Sequence, residues 1–264
     1  MNTTFLLKVY ITTFFVSLIT CVACDKDNHA SEDGYRDNVS SKHIVKIVSE
    51  SEGYIRESNI SYDSQGRITR VISTQNSPYV SEIKYQYGED AVLSEEIEEE
   101  TYSNGQHFRW SELHTYTLVN GLIVKDVEIQ TSNSGYGDIS SKITTTYSYD
   151  NNGYMKSLTE WGDNIGNRPK NCIWTNGNLT TMGEDSYFYS SIPWNDKMIF
   201  YLKGSNMDSY LWLAGYWGKR PKNLPNNGHY SYEYTLLDGL VTRAIITSPE
   251  YGDSRKNIIT FTWE

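Results

Sequence analysis

The stretch Ile139-Ser-Ser-Lys-Ile-Thr-Thr-Thr-Tyr-Ser-Tyr149, with the turn Asp150-Asn-Asn-Gly153 that follows it, decides the fold of this chain. In an extended backbone its isoleucines and tyrosines all fall on one face, whereas Lys142 and most of the serines and threonines fall on the other. This alternation predicts a β-strand with one buried face. The turn offers an Asp that accepts local hydrogen bonds and a Gly that adopts positive φ without strain. Together they predict an antiparallel hairpin.

The same combination of strand and turn recurs along the chain. Alternating aromatic and aliphatic residues mark the stretches 79–87, 108–118, 230–236 and 259–263, and further turn signals of this kind lie at 63–66, 120–121, 176–177 and 238–239. With Gly88 included, the turn glycines from Gly66 to Gly177 lie 22 to 33 residues apart, which is the length of two strands and two connections. Residues 43–264 are therefore predicted to form a single all-β domain. We expect an up-and-down antiparallel meander of about 14 strands in a strongly curved sheet or barrel-like fold.

One segment departs from this pattern and predicts a short helix near 205–218. Its apolar residues follow the spacing of one helix face, at Met207, Tyr210, Leu211 and Ala214. Asp208 or Ser205 offers an N-cap and Gly218 a stop. We expect this helix to pack across the sheet or over one mouth of it.

The first 23 residues have the character of a secretory signal peptide, with Lys8 ahead of an apolar run from Val9 to Ala23. That run is too short for a membrane-spanning anchor, which needs about 20 residues. Residues 21–24, Cys-Val-Ala-Cys, resemble a bacterial lipobox, in which small residues precede a cysteine that is lipidated through its nucleophilic thiol. We assign lipid attachment to Cys24, because lipidation of Cys21 would put a threonine where Gly or Ala is expected.

Residues 24–42 are polar and lack apolar periodicity, so they are predicted to be a flexible tether. Acyl chains on Cys24 would hold the mature protein to a membrane. Asp25-Lys-Asp27 resembles the signal that sends some bacterial lipoproteins to the cell surface. We therefore expect an exported protein, lipid-anchored to the bacterial outer membrane and surface-exposed if that signal operates.

Charge and composition exclude several functions. A formal net charge of −10 without a basic stripe argues against a nucleic-acid partner. Three cysteines cannot form a disulfide scaffold or a paired Cys-x-x-Cys zinc site, and Cys172 is predicted to be a small buried hydrophobe. The five histidines lack metal-ligand spacing, and His107 and His114 should lie on opposite faces of a strand. No catalytic motif is present, so the sequence predicts no catalytic residue, no metal and no cofactor.

The densest group of charges is the run Glu95-Glu-Ile-Glu-Glu-Glu100. Carboxylates of this kind could collect calcium, but a strand points alternate side chains apart. We interpret the run as a solvated edge that deters strand addition.

The repeated unit Tyr-Asp-x-x-Gly-[Arg/Tyr]-[Ile/Met], with Asn206-Met-Asp208 and Lys222-Asn-Leu-Pro225 near the end, resembles a family of bacterial lipoproteins catalogued as a domain of unknown function with a porin-like fold. The resemblance covers residues 43–264. It implies a curved or barrel-like antiparallel sheet, and it brings no activity, substrate or site residue with it.

Aromatic residues outside the alternating strands are the remaining candidate for a site. Stacking of such side chains on sugar rings would suit a glycan-binding cleft, and the candidates are Trp161, Trp194, Trp212, Tyr216 and Trp217. The competing interpretation is that Trp212 and Trp217 pin the helix to the sheet.

Two functions from different classes follow from these observations. The first is a non-enzymatic binding module for a glycan or protein partner, and it predicts a packed core. The second is a periplasmic carrier for a lipid or other apolar ligand, and it predicts an open apolar cavity. A weaker third possibility, a glycoside hydrolase, requires two carboxylates in a cleft. The abundance of Tyr, Thr and Ser in the strands favours an apolar face turned to a core over one turned to lipid.

Overall fold

The computed structural model describes residues 42–76, 78–101, 105, 107–134, 137–162, 165–195, 197–199, 207–226, 231–248 and 255–264. The predicted signal peptide 1–23, Cys24 and the tether up to residue 41 lie outside the described residues, as do Ser205 and Asn206.

The described chain is built from β-strands and one short helix. The strands before the helix are β1 Ile44–Ser51, β2 Tyr54–Tyr62, β3 Ile68–Gln75, β4 Tyr79–Tyr87, β5 Ala91–Thr101, β6 His107–Val119, β7 Leu122–Ser134, β8 Gly137–Tyr149, β9 Met155–Gly162, β10 Gly166–Thr175, β11 Asn178–Met182, β12 Asp185–Ser186 and β13 Tyr189–Pro193. The helix α1 is Ser209–Leu213, and it is followed by β14 Asn223–Pro225, β15 Ser231–Leu237, β16 Leu240–Ser248 and β17 Arg255–Trp263.

Fifteen of the described strands form one antiparallel sheet, which confirms the predicted all-β meander. Strands β1 to β12 follow one another in sequence order, and β17, β16 and β15 continue the sheet on the other side of β1. Among the described strands the sheet does not close, because β12 and β15 are its two edges. Strands β13 and β14 pair only with each other.

The tight turns have the geometry that their residues predict. At Asn120 and Gly121, φ is 51° and 74°, the combination that a two-residue hairpin turn requires. In the Asp-x-x-Gly turns the Asp side chain fixes the loop: Asp150 Oδ1 accepts hydrogen bonds from the backbone N–H groups of Asn152 and Tyr154, at 2.9 and 2.8 Å. Asp63 accepts from Gln65 and Arg67 in the same way.

A β-bulge accompanies each of five tight turns. The extra residue lies on the strand after the turn, where the pairing register shifts by one residue opposite Ser61/Tyr62, Thr117/Leu118, Ser148/Tyr149, Ile173/Trp174 and Thr235/Leu236. Because side chains alternate between faces, such a shift exchanges the inner and outer residues of the strand that follows the turn. We use "inner face" for the face of the sheet that carries the core residues.

Tyrosine and tryptophan side chains near the strand ends bond to backbone carbonyls of neighbouring strands, which gives part of the reason for the 22 tyrosines and seven phenylalanines of the chain. Tyr62 donates its hydroxyl proton to the carbonyl of Ile44 on the preceding strand, at 2.7 Å, and Tyr149 donates to Ile123 at 2.8 Å. The hydroxyls of Tyr87 and Tyr189 donate likewise to the carbonyls of Ile68 and Leu179, and the indole N–H groups of Trp174 and Trp263 donate to those of Met155 and Val241. A ring with a polar tip fills the core and satisfies a backbone carbonyl at once, which Phe cannot do.

The predicted helix is present but short. Of the two predicted N-cap candidates, Asp208 caps the helix and accepts hydrogen bonds from the backbone N–H groups of Tyr210 and Leu211. The helix ends before Gly218, because Gly215 at φ 86° allows the N–H groups of Gly215 and Tyr216 to fold back onto Trp212 and Leu211. Within the described part of the chain, no helix has the length and apolar character needed to cross a bilayer.

The segment 207–226, which we call the α1 segment, covers the apolar part of the inner face. Its backbone bonds to three places in the sheet: the carbonyl of Tyr216 accepts from Ile123 N–H, and the N–H groups of Lys219 and Lys222 donate to Gly153 and Gly177. Its side chains Leu211, Trp212, Trp217 and Leu224 are at most 4% exposed and belong to the same core cluster as residues of β1 to β11, β16 and β17. The sheet therefore curls around this segment.

Candidate functional site: an acidic cleft on the inner face

A cleft of about 400 Å³ opens on the inner face of the sheet, beside the start of α1. Its ionisable lining consists of Glu96, Glu112, His114, Tyr116, Glu128, Asp208 and Tyr210. Among the described residues that line it, there is no lysine or arginine. The cleft is therefore an acidic site with a single histidine.

Strand geometry brings these side chains together. Glu112, His114 and Tyr116 are two residues apart on β6 and share the inner face. Glu128 on β7 is paired directly with His114, and Glu96 on β5 is paired with Glu112. The bulge at Thr117/Leu118 is decisive, since without that shift in register His114 would face Val127 and the Glu128 side chain would point outward.

His114 lies at the centre of a hydrogen-bonded group. Its Nδ1 lies 2.9 and 3.0 Å from the two carboxylate oxygens of Asp126, and its Nε2 lies 2.5 Å from Oε1 of Glu112. The other oxygen of Glu112 accepts a 3.0 Å hydrogen bond from Gln130 Nε2. Ser141 in turn donates to Oε1 of Gln130, so the amide orientation is defined.

Burial among like charges perturbs the carboxylates of this group. Burial, followed by the neighbouring Glu112, raises the pKa of Glu128 from 4.5 to about 7. Burial also raises the pKa of Glu96. Burial alone would lower the pKa of His114, but its hydrogen bonds to Asp126 and Glu112 outweigh burial and raise it to about 10. The imidazole therefore carries a positive charge at neutral pH, surrounded by more carboxylates than it can neutralise.

Tyr116 adds an unusual feature to the wall of the cleft. It is 0% exposed, its ring stacks on His114 at 5.2 Å, and Ser94 approaches its hydroxyl without the geometry of a full hydrogen bond. Burial, with the charges of Asp208 and Asp126, raises its pKa well above the ordinary value, and a close approach by Ser94 opposes the rise. Buried hydroxyls are almost always paired, so this one indicates a place where a polar partner fits.

The structure does not gather the five aromatic residues that the sequence suggested for ligand stacking. Trp212 and Trp217 are 4% and 0% exposed, and side chains buried to this extent present no face to a ligand. Tyr216 is half-buried and stacks on Tyr87. Trp194 is half-buried and its indole N–H donates to Met198. Trp161 is 52% exposed, on the outer face opposite the buried Glu160.

The interpretation of residues 95–100 as a solvated edge is wrong, because β5 is hydrogen-bonded to β4 on one side and to β6 on the other. Its carboxylates do alternate as expected: Glu95 and Glu99 are exposed on the outer face, whereas Glu96 and Glu98 are half-buried on the inner face. The run therefore supplies part of the acidic cleft.

The histidines separate as predicted, with His107 exposed and His114 buried. The spacing of the histidines alone predicts ordinary surface or sheet histidines and does not show the acidic surroundings of His114. Two pairs of residues in the sequence could have indicated this site. Glu112 and His114 share one face of a predicted strand, and Asp126 and Glu128 share a face of the strand that follows the predicted Asn-Gly turn.

Comparison with known proteins supports the fold. A porin-like protein from Bacteroides uniformis, known from its crystal structure, superposes with a TM-score of 0.52 at 17% identity, over 84% of this chain and 98% of that one. A porin-like protein from Bacteroides vulgatus gives a TM-score of 0.44 at 12% identity, over 85% of this chain and 99% of that one. No curated protein matches the chain. The sequence profile that matches covers residues 60–263, and the chain accordingly belongs to the family described as a domain of unknown function (DUF4595) with porin-like fold.

Proposed function

We propose that this protein is a non-enzymatic binding module of the bacterial cell envelope, lipid-anchored to the outer membrane through Cys24, and that its acidic cleft takes a positively charged segment of a partner protein. The observation that carries the proposal is the lining of the cleft, with four carboxylates against one histidine and no described lysine or arginine. A lysine or arginine side chain would supply positive charge to these half-buried and buried carboxylates, which outnumber the one histidine.

The geometry favours a cationic protein segment over the other ligands considered. An apolar carrier needs an open apolar cavity, whereas the apolar part of the inner face is covered by the α1 segment and the adjoining cleft is acidic. A glycan cleft built on the five aromatic residues needs them side by side, but Trp161 lies on the outer face and Trp217 in the core. Binding of a neutral glycan is therefore treated as an alternative result of the binding experiments that follow.

Binding of a labelled oligolysine peptide tests the cleft. We expect Glu96→Gln to weaken binding to the full-length chain in detergent by about fivefold, because an inward carboxylate next to the bound charge is lost. Glu95→Gln is the matched control on the same strand, since it removes the same charge from the outer face and should change affinity less than twofold. Fluorescence anisotropy with EDTA present measures both.

Equal effects of the two variants would reject the cleft as the binding site. Specific capture of an uncharged sugar on a glycan array, unaffected by Glu96→Gln, would replace the cationic partner with a glycan and place its site elsewhere.

Replacing Cys24 and Cys21 one at a time tests membrane attachment. We expect Cys24→Ser to move the protein from the membrane fraction to the soluble fraction after export, because the thiol that carries the lipid is gone. Cys21→Ser should leave the protein in the membrane fraction. Fractionation followed by immunoblotting measures the distribution, and a Cys24→Ser protein that stays with the membrane after a high-salt wash would contradict the assignment.

A further inference from the structure

The cleft also contains a set of atoms suited to a metal ion. Glu112, His114 and Glu128 each offer one ligand atom, and these atoms lie within 4.8 Å of one another. The first two are adjacent inner-face residues of β6, and the third is the register partner of His114 on β7. Ligands on paired strands are held by the backbone hydrogen bonds of the sheet.

His114 is oriented as metal-binding histidines are. Its Nδ1 faces the carboxylate of Asp126, which is 3% exposed and can accept the N–H bond. This leaves Nε2 directed at Glu112 and the cleft. A carboxylate behind the imidazole fixes the ring and raises its basicity toward a metal. Gln130 holds Glu112 from the other side.

The hydroxyl of Tyr116, which Ser94 satisfies only incompletely, is a further polar group in the wall of the cleft. It is fully buried in the wall of the same cleft, against the His114 ring. A polar occupant of the cleft could complete the hydrogen bonding of this hydroxyl.

We propose that Glu112, His114 and Glu128 bind a divalent transition-metal ion of the zinc class, with one coordination position open to the cleft. One imidazole nitrogen and two carboxylate oxygens form a mixed set that suits Zn²⁺, whereas Ca²⁺ prefers oxygen ligands alone. Binding exchanges the proton held between His114 and Glu112 for the metal. This inference goes beyond the binding of a protein partner and does not depend on it.

Calorimetric titration of the full-length, tag-free chain in detergent with ZnCl₂ alone tests the site. We expect one ion per chain, and binding at least about tenfold weaker in Glu112→Gln and in Glu128→Gln. Glu160→Gln is the control, because Glu160 is also a buried inward carboxylate but pairs with Lys170, and it should bind zinc within about twofold of the wild type. Circular dichroism confirms that each variant is folded.

A second readout identifies the ligands. Co²⁺ in place of Zn²⁺ should give visible absorption bands of a low-coordinate site, and these should be lost in His114→Gln. Unchanged zinc binding in both glutamine variants, or preference for Ca²⁺ over Zn²⁺, would overturn the proposal.

Zinc should also displace oligolysine from the cleft. Zinc binding without oligolysine binding would refute only the protein-partner function, and the reverse would refute only the metal site.

Discussion

Replacement of Trp217 by alanine is expected to lower the free energy of unfolding by about 3–5 kcal/mol, the cost typical of removing a buried aromatic side chain. Trp217 is 0% exposed and meets the rings of Tyr147 and Tyr116 edge-on, at centroid distances of 4.8 and 5.9 Å. Its indole N–H donates to the carbonyl of Asp208, the N-cap residue of α1, at 2.9 Å. The variant therefore loses core volume and a bond that holds the start of the helix.

Urea unfolding followed by circular dichroism measures this loss. Trp161→Ala is the matched control, because Trp161 is 52% exposed on the outer face, and its replacement should change stability by no more than about 0.5 kcal/mol. Similar losses in the two variants would mean that Trp217 is not the core residue described above.

Glu128→Gln is expected to stabilise the metal-free protein at pH 8 by about 2–3 kcal/mol. The native pKa of about 7 lies above the ordinary 4.5, so between these values the folded chain binds more protons than the unfolded chain. Stability therefore falls as pH rises from 4.5 to 7, and the full cost applies above 7. Glutamine has nearly the same shape without the charge, so it avoids this cost.

Urea unfolding at pH 5 and pH 8 in EDTA tests this expectation. The advantage of Glu128→Gln should be largest at pH 8 and should shrink toward pH 5. Glu95→Gln, on the exposed outer face, should follow the wild type at both values. A Glu128→Gln protein less stable than the wild type at pH 8 would contradict this expectation, because it would show that the folded protein stabilises the charged carboxylate of Glu128.

Much of the fold was predictable from local chemistry. Alternation identified the strands, and Asp-x-x-Gly and Asn-Gly identified the tight turns. Asp208 was recognised as a helix cap, but the helix stop was misplaced because Gly215 and Gly218 both follow the apolar pattern. The turn at Glu52-Gly53 was missed, since glutamate rarely occupies a position with φ of 48°.

The site was not predictable in the same way. Whether Glu128 points inward depends on the bulge at Val124, just after the turn at 120–121, and nothing in the local sequence signals a bulge there. Strand order matters equally, because the charge and alternation of the run 95–100 predict a solvated edge, whereas its neighbours β4 and β6 place it inside the sheet.

The tyrosine hydroxyls that bond to backbone carbonyls beside the turns affect which substitutions this fold can tolerate. They anchor one end of the hairpins to backbone carbonyls, which every amino acid provides, so the fastening does not depend on the identity of the residue that accepts. The acidic residues of the cleft lie in the middle of β5, β6 and β7, away from these fastened ends. Substitutions there can give the protein a new ligand preference while the fastened end keeps the architecture intact.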